Sequence, residues 1–168
     1  KSHRIGQGEK VAGNRHENKT NGRADPAGKG CFAMKIGIYG GTFNPPHLGH
    51  MAAARFALEA LGLDKLLLIP AAAPPHKDMP AGTPAPEERL AMTELMADHL
   101  MCPGRVEVRD MEIRRGGRSY TSDTLRQLKE EYPQAELWFL VGMDMFLTLQ
   151  HWHEAETVLS IAHIAAFA

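Results

Sequence analysis

Two histidines three residues apart, His47 and His50, follow a pair of glycines, Gly40 and Gly41, in the string KIGIYGGTFNPPHLGH over residues 35–50. The string reads as a strand running into Gly40-Gly41, a turn at Asn44-Pro45-Pro46 and a helix opening at His47. Paired glycines let backbone N–H groups approach an anion with no Cβ in the way. A helix N-terminus adds about half a positive charge and unpaired donors, which suits the junction to phosphate. The histidines fall on one face of the first turn, where two imidazoles can donate hydrogen bonds to a polyphosphate. The same pair could form half of a metal site, but that chemistry needs two further ligands and none stands nearby, so no metal site is expected. The string is not a Walker A loop, because no Gly-Lys-Ser/Thr follows. Nor is it a dinucleotide fingerprint, because G-x-G-x-x-G is absent.

Other residues have chemistry open to two readings. Lys77, beside His76 on a proline-rich stretch, can act as a point charge on a phosphate or be a solvated lysine. Gly142 and Asp144 follow an apolar run at its C-terminal end, where α/β sheets bind ligands. Asp144 equally fits a cap for the short segment behind it. Thr121, within Ser119-Tyr120-Thr121-Ser122-Asp123, fits an N-cap as well as an anion contact. Trp152 fits a core position as well as an aromatic platform.

These residues sit on an alternating pattern. Lys35–Tyr39, Asp64–Ile69, Arg105–Arg109, Glu136–Val141 and His163–Phe167 read as strands. Helices are predicted from His47 to about Leu61, Pro86 to Leu100, Thr121 to Tyr132 and Trp152 to Ile161, with Pro86 well placed for a first turn. Six prolines between residues 70 and 86 predict a long exposed loop. Strands alternating with helices imply an α/β fold with a mostly parallel sheet covered on both faces. The pattern stops on an apolar strand, which reads as a C-terminally incomplete domain.

The 168 residues are 43% hydrophobic and 23% charged, which fits a globular protein. No run approaches a membrane span, and the first 30 residues contain no apolar block of a secretory signal. Two cysteines, Cys31 and Cys102, give neither a CxxC site nor a disulfide framework, so a reducing cytoplasmic setting is expected. Residues 1–33 carry seven lysines and arginines against three acids and six of the sixteen glycines. They read as a disordered basic tail or expression remnant, with the domain over 34–168 starting at Met34. The remaining body is acidic, which argues against a nucleic-acid partner.

The segment GGTFNPPHLGH resembles the H-x-G-H signature of a nucleotidyltransferase superfamily with a Rossmann-like fold. Further motifs follow in order: Pro74-Pro75-His76-Lys77, Glu88-Arg89-Leu90-Ala91-Met92, Ser119-Tyr120-Thr121-Ser122-Asp123-Thr124-Leu125, Val141-Gly142-Met143-Asp144, and Trp152. Together they resemble the bacterial nicotinate-nucleotide adenylyltransferase family over residues 34–168. The resemblance implies adenylyl transfer from ATP to nicotinate mononucleotide, giving deamido-NAD and pyrophosphate, by direct attack of the mononucleotide phosphate on the α-phosphorus. It implies that His50 and His47 act on the ATP phosphates and that Gly40, Gly41 and Thr42 supply loop contacts. Lys77 would add a phosphate contact, and Gly142 and Asp144 would serve the ATP site. Tyr120, Thr121 and Trp152 would hold the nicotinate part, and Mg²⁺ would be carried by the ATP phosphates.

Two departures stand out. Asn44 occupies a position where many relatives carry Asp, and no Ser-Ser-Thr-x-Ile-Arg segment of the family occurs in residues 34–168. A sister enzyme with another acceptor such as phosphopantetheine, a non-catalytic nucleotide-binding fragment, and RNA binding through the tail are the competing readings. A homo-oligomer is compatible with the sequence, and no membrane partner is expected.

Overall fold

The computed structural model describes residues 33–75 and 78–168. The tail reading of residues 1–33 (apart from Ala33) and the positions of His76 and Lys77 lie outside the described residues. Residues from Ala33 onward cluster into one unit, built on strands β1 (Lys35–Gly41), β2 (Lys65–Pro70), β3 (Val106–Val108), β4 (Glu136–Gly142) and β5 (His163–Phe167). All pair in parallel in the order β3-β2-β1-β4-β5. Between them run α1 (Leu48–Ala60), α2 (Pro86–His99), α3 (Met111–Arg115), α4 (Thr121–Glu131), α5 (Met143–Phe146) and α6 (Ala155–Ile161), with a 3-10 turn at Leu149–His151.

Side chains alternate across the strands, and both faces are buried. Ile36, Ile38, Leu67, Ile69, Phe139 and Val141 join one core with Leu125 and Leu128 of α4 and Val158 of α6. Tyr39, Leu66, Leu68 and Leu140 join the other with Ala54 and Leu58 of α1 and Met96 of α2. A parallel sheet covered on both sides explains why the strands read as unbroken apolar runs. Gly37 is needed where β1 lies closest to this second core. A Cβ there would stand 2.5 Å from Leu63 Cδ1.

The topology also fixes where a site can form. From β1 the chain moves outward through β2 and β3, then crosses to the other side of β1 for β4 and β5. Connections leaving β1 and β4 diverge at this switch point and leave a crevice at the C-terminal strand ends. Gly40 and Gly41 end β1 there, and Gly142 ends β4.

Three details differ from the sequence reading. The last helix starts at Ala155 rather than Trp152, because Trp152 is extended and Glu154 is left-handed at φ 51°. The proline-rich stretch is not wholly exposed: Ala71 is buried, and Ala73 pairs with Arg118. Thr121 is the first residue of α4, and Tyr120 takes the N-cap position without a side-chain bond.

Candidate active site

Beyond Gly41 the chain folds back on itself. Phe43 is fully buried in the left-handed region at φ 48°, a conformation that costs a non-glycine residue energy unless its surroundings hold it there. Burial of its ring, edge-on to Tyr39 at 5.7 Å, supplies that hold. A Cβ on Gly41 would meet the same ring at 3.3 Å. Asn44 Nδ2 donates to Thr83 Oγ1 at 3.4 Å, so the loop is tied to the proline-rich segment through the side chain that departs from the family pattern.

The two histidines cap α1 reciprocally. His47, extended at the N-cap, accepts the Gly49 N–H at Nδ1 (3.2 Å), and His50 Nδ1 accepts the His47 N–H (3.1 Å). With both Nδ1 atoms accepting, each neutral ring carries its proton on Nε2, at the far side of the imidazole. The rings lie 3.9 Å apart. Burial, then the neighbouring His47, pushes the His50 pKa down to about 4, so His50 is neutral at neutral pH. The pair therefore presents oriented N–H donors at the positive end of a helix.

A cavity of about 430 Å³ opens at the switch point. Its walls bring together Gly40, Gly41 and Thr42 from the β1 loop, Thr121 from α4, Gly142 and Asp144 from the β4 end, and Trp152. Asp144 folds back so closely that a Cβ on Gly142 would stand 2.7 Å from its Oδ1. Trp152 packs edge-on to Phe139 at 6.0 Å and donates from Nε1 to Thr148 Oγ1 at 3.2 Å, which fixes its ring plane. His47 and His50 are not in these walls. His50 sits behind the wall residue Tyr39 at 6.0 Å, and His47 opens on an apolar groove with Pro45, Pro46 and Met51. Tyr120 is also outside the walls, its ring 4.3 Å from that of His153.

The cavity contains polar residues the sequence did not assign. Glu112 is 6% exposed, and Thr124 donates its hydroxyl to Glu112 Oε1 at 2.6 Å. Burial raises the Glu112 pKa, while the hydroxyls of Thr124 and Ser119 and the charge of Arg115 pull it partly back. Ser119, Thr124 and Glu112 all reach the cavity. In Met-Glu-Ile-Arg-Arg, residues 111–115, nothing local marks the glutamate as buried. Among the described residues no three His, Cys, Asp or Glu side chains converge to hold a metal ion, and no helix is long and apolar enough to cross a membrane.

The chain that carries this parallel sheet, glycine loop and switch-point cavity belongs to the cytidylyltransferase-like family, whose model matches residues 38–168. Among curated proteins it is similar to proteins named "probable nicotinate-nucleotide adenylyltransferase". That of Shewanella pealeana is 44% identical over 132 residues, covering 78% of this chain and 58% of the relative. That of Geobacter sulfurreducens is 42% identical over 137 residues, covering 80% and 61%. The chain thus spans about three fifths of the length of these relatives. A solved structure described as a nicotinate-nucleotide adenylyltransferase from Vibrio parahaemolyticus superposes with a TM-score of 0.63 at 25% identity, covering 79% of this chain and 72% of that one. The Plasmodium falciparum nicotinic acid mononucleotide adenylyltransferase complexed with NaAD gives 0.65 at 16% identity, over 80% and 74%, a likeness of fold.

Proposed function

We propose that this chain transfers the adenylyl group of ATP to nicotinate mononucleotide, forming deamido-NAD and releasing pyrophosphate. The observation that carries the reading is that the β1 glycine loop shares one cavity with Thr121 and Trp152. A phosphate on the loop and a pyridine ring against the indole would occupy the same enclosed space. The identity of the curated relatives supports the choice of acceptor.

In the reaction a phosphate oxygen of the mononucleotide forms a bond to the α-phosphorus of ATP, and the bond from that phosphorus to the bridging oxygen of pyrophosphate breaks. Mg²⁺ enters with the triphosphate as part of the substrate. No protein nucleophile is required, so the chain contributes alignment and charge stabilisation. From the start of α1, outside the cavity walls, the Nε2–H groups of His50 and His47 donate to phosphate oxygens that extend beyond the cavity, and donors oriented beforehand need no reorganisation as charge builds. Gly40, Gly41 and Thr42 supply backbone contacts, and Lys77 a point charge. Gly142 and Asp144 face the ATP ribose. Trp152 serves as an aromatic partner for the pyridine ring and Thr121 holds its carboxylate, while Tyr120, outside the cavity walls, joins them only by turning its ring away from His153. The reading carries with it a cytoplasmic location and no nucleic-acid or membrane partner.

Mass spectrometry of products after incubating the chain with MgATP, nicotinate mononucleotide, nicotinamide mononucleotide and phosphopantetheine together tests this. Deamido-NAD is the expected dominant product. Adenylylated phosphopantetheine in its place would change the acceptor, and no adenylylated product would remove the transfer reaction. In the same assay His50→Ala should lower kcat by about 10²–10³-fold, on the scale of losing one charge-stabilising donor, with mononucleotide affinity near the parent value. Equal loss of both would remove the role given to His50.

A further inference from the structure

Arg89 lies on α2 with 1% of its surface exposed, yet among the described residues no carboxylate is hydrogen-bonded to it. Its guanidinium donates from Nη1 to the Thr42 carbonyl at 2.7 Å and from Nη2 to the Ala72 carbonyl at 2.9 Å. Its Nε finds no partner among the described residues. Burying a cation this way costs several kcal/mol, which a methionine of similar length would avoid. What a methionine could not do is hold two carbonyls from separate loops, one of them in the glycine loop.

Ala72 is held at both of its polar groups. Its carbonyl accepts from Arg89, and its N–H donates to Ser119 Oγ at 2.9 Å. The Ser119 N–H in turn donates to the Ala73 carbonyl at 2.9 Å. Because Ser119 Oγ accepts from Ala72, its own proton is left to turn toward Glu112, the carboxyl group whose pKa the Ser119 hydroxyl helps pull back. Thr124 Oγ likewise accepts from Arg115 Nη2 at 2.8 Å and donates to Glu112. The hydroxyls of Ser119 and Thr124 thus serve one buried carboxyl group, and hydrogen bonds run from the glycine loop through Arg89 and Ala72 to Ser119. Apart from Arg89 Nε, the named members of this network are paired, and in a low-dielectric interior losing one of them strands the others.

We propose that Arg89 and Glu112 are positioning residues that lock the two walls of the cleft to each other through Ala72 and Ser119, so that ordering the glycine loop and ordering the Ser119–Thr121 wall are one event. The consequence for ligands rests on the adenylyl-transfer reading; the mechanical coupling does not. Coupling is reciprocal, so a change at either residue is felt at the far wall.

Hydrogen–deuterium exchange on the full chain tests the coupling without ligand, comparing the parent with Arg89→Met, Glu112→Gln and Ser119→Ala. Arg89→Met should speed exchange not only at residues 71–73 but at 118–121, and Glu112→Gln should speed it at 41–43. Ser119→Ala removes only a hydroxyl, so it keeps the test open if a buried-charge variant fails to fold, and it should loosen both walls. Changes confined to the mutated wall would overturn the proposal. A calorimetric titration of nicotinate mononucleotide then extends the test: Arg89→Met should weaken it about tenfold, within the usual range of coupling between sites, and Arg89→Lys, which can hold one carbonyl, should recover part. An unchanged dissociation constant in Arg89→Met would overturn the coupling. If the parent binds no mononucleotide while exchange spreads across both walls, the network stands and the nucleotide reading falls.

Discussion

An ideal Cβ on Gly49 would stand 3.0 Å from both Nδ1 and Cε1 of His47. The residue between the histidines is therefore the floor on which the His47 ring rests, and its N–H is the bond that fixes that ring. Gly49→Ala should push the imidazole aside while leaving the helix at least as stable, since alanine is favoured over glycine in a helix by up to about 1 kcal/mol. The ring must give by a few tenths of an ångström, so the expected result is a fall in kcat smaller than the about 10²-fold that a 1 Å misplacement can cause, with an unchanged or slightly higher urea midpoint. Full activity in Gly49→Ala would mean that the placement of the His47 ring is immaterial. The placement of both histidines at the start of α1 was legible in the sequence because the glycines, the turn and the histidines are contiguous in the chain. Arg89 and Glu112 were not: their roles depend on partners such as Thr42 and Ser119, which lie 47 and 7 positions away, and a lone Arg or Glu on a charged helix looks solvated.

At the scale of elements, the long periodic segments were legible and the short ones were not. α1 and α4 bury apolar residues at helical spacing, Ala54, Ala57 and Leu58 in the first and Leu125 and Leu128 in the second, whereas α2 buries Arg89, Thr93 and Met96 and was legible from its length and from Pro86 in its first turn. α3 and α5 have five and four residues, too few for a pattern, and both sit beside the cavity. Trp152 falls in this poorly legible stretch, extended between the 3-10 turn and α6. Its fixing by Thr148 and Phe139 leaves the indole in the cavity wall, where stacking on a pyridine ring is its proposed role. Trp152→Ala should weaken nicotinate mononucleotide binding by about 1–3 kcal/mol, on the scale of aromatic stacking against a base. Trp152→Phe, which keeps an aromatic face, should recover much of that loss. Calorimetry distinguishes the outcomes, and a parent-like dissociation constant in Trp152→Ala would make it a packing residue.

For the whole molecule, the decisive feature is that neighbouring residues of one central strand serve two different cores. Leu67 and Leu68 are adjacent in β2 and both fully buried, yet Leu67 meets the α4 and α6 side and Leu68 the α1 and α2 side. A sheet covered on one face only would leave one of the two exposed. The run Asp64–Ile69 signalled this in the sequence, because an unbroken apolar strand belongs to a sheet with no wet face. The strand order, with β4 crossing to the far side of β1, had no such local signal, although it creates the crevice that the site occupies. Leu67→Ala and Leu68→Ala should each cost about 2–5 kcal/mol, the usual range for removing a buried leucine. Leu48→Ala, at a side chain 80% exposed, should stay within about 0.5 kcal/mol of the parent. Urea titrations of the three variants give these values directly. Because a domain of this kind has only about 5–15 kcal/mol in all, losses of similar size at Leu67 and Leu68 would show that both helical layers are needed to hold the central strands. That same support keeps Gly41 and Gly142 facing one cavity. A near-zero cost at either leucine would mean that one layer is dispensable, and the site would then depend on a single core.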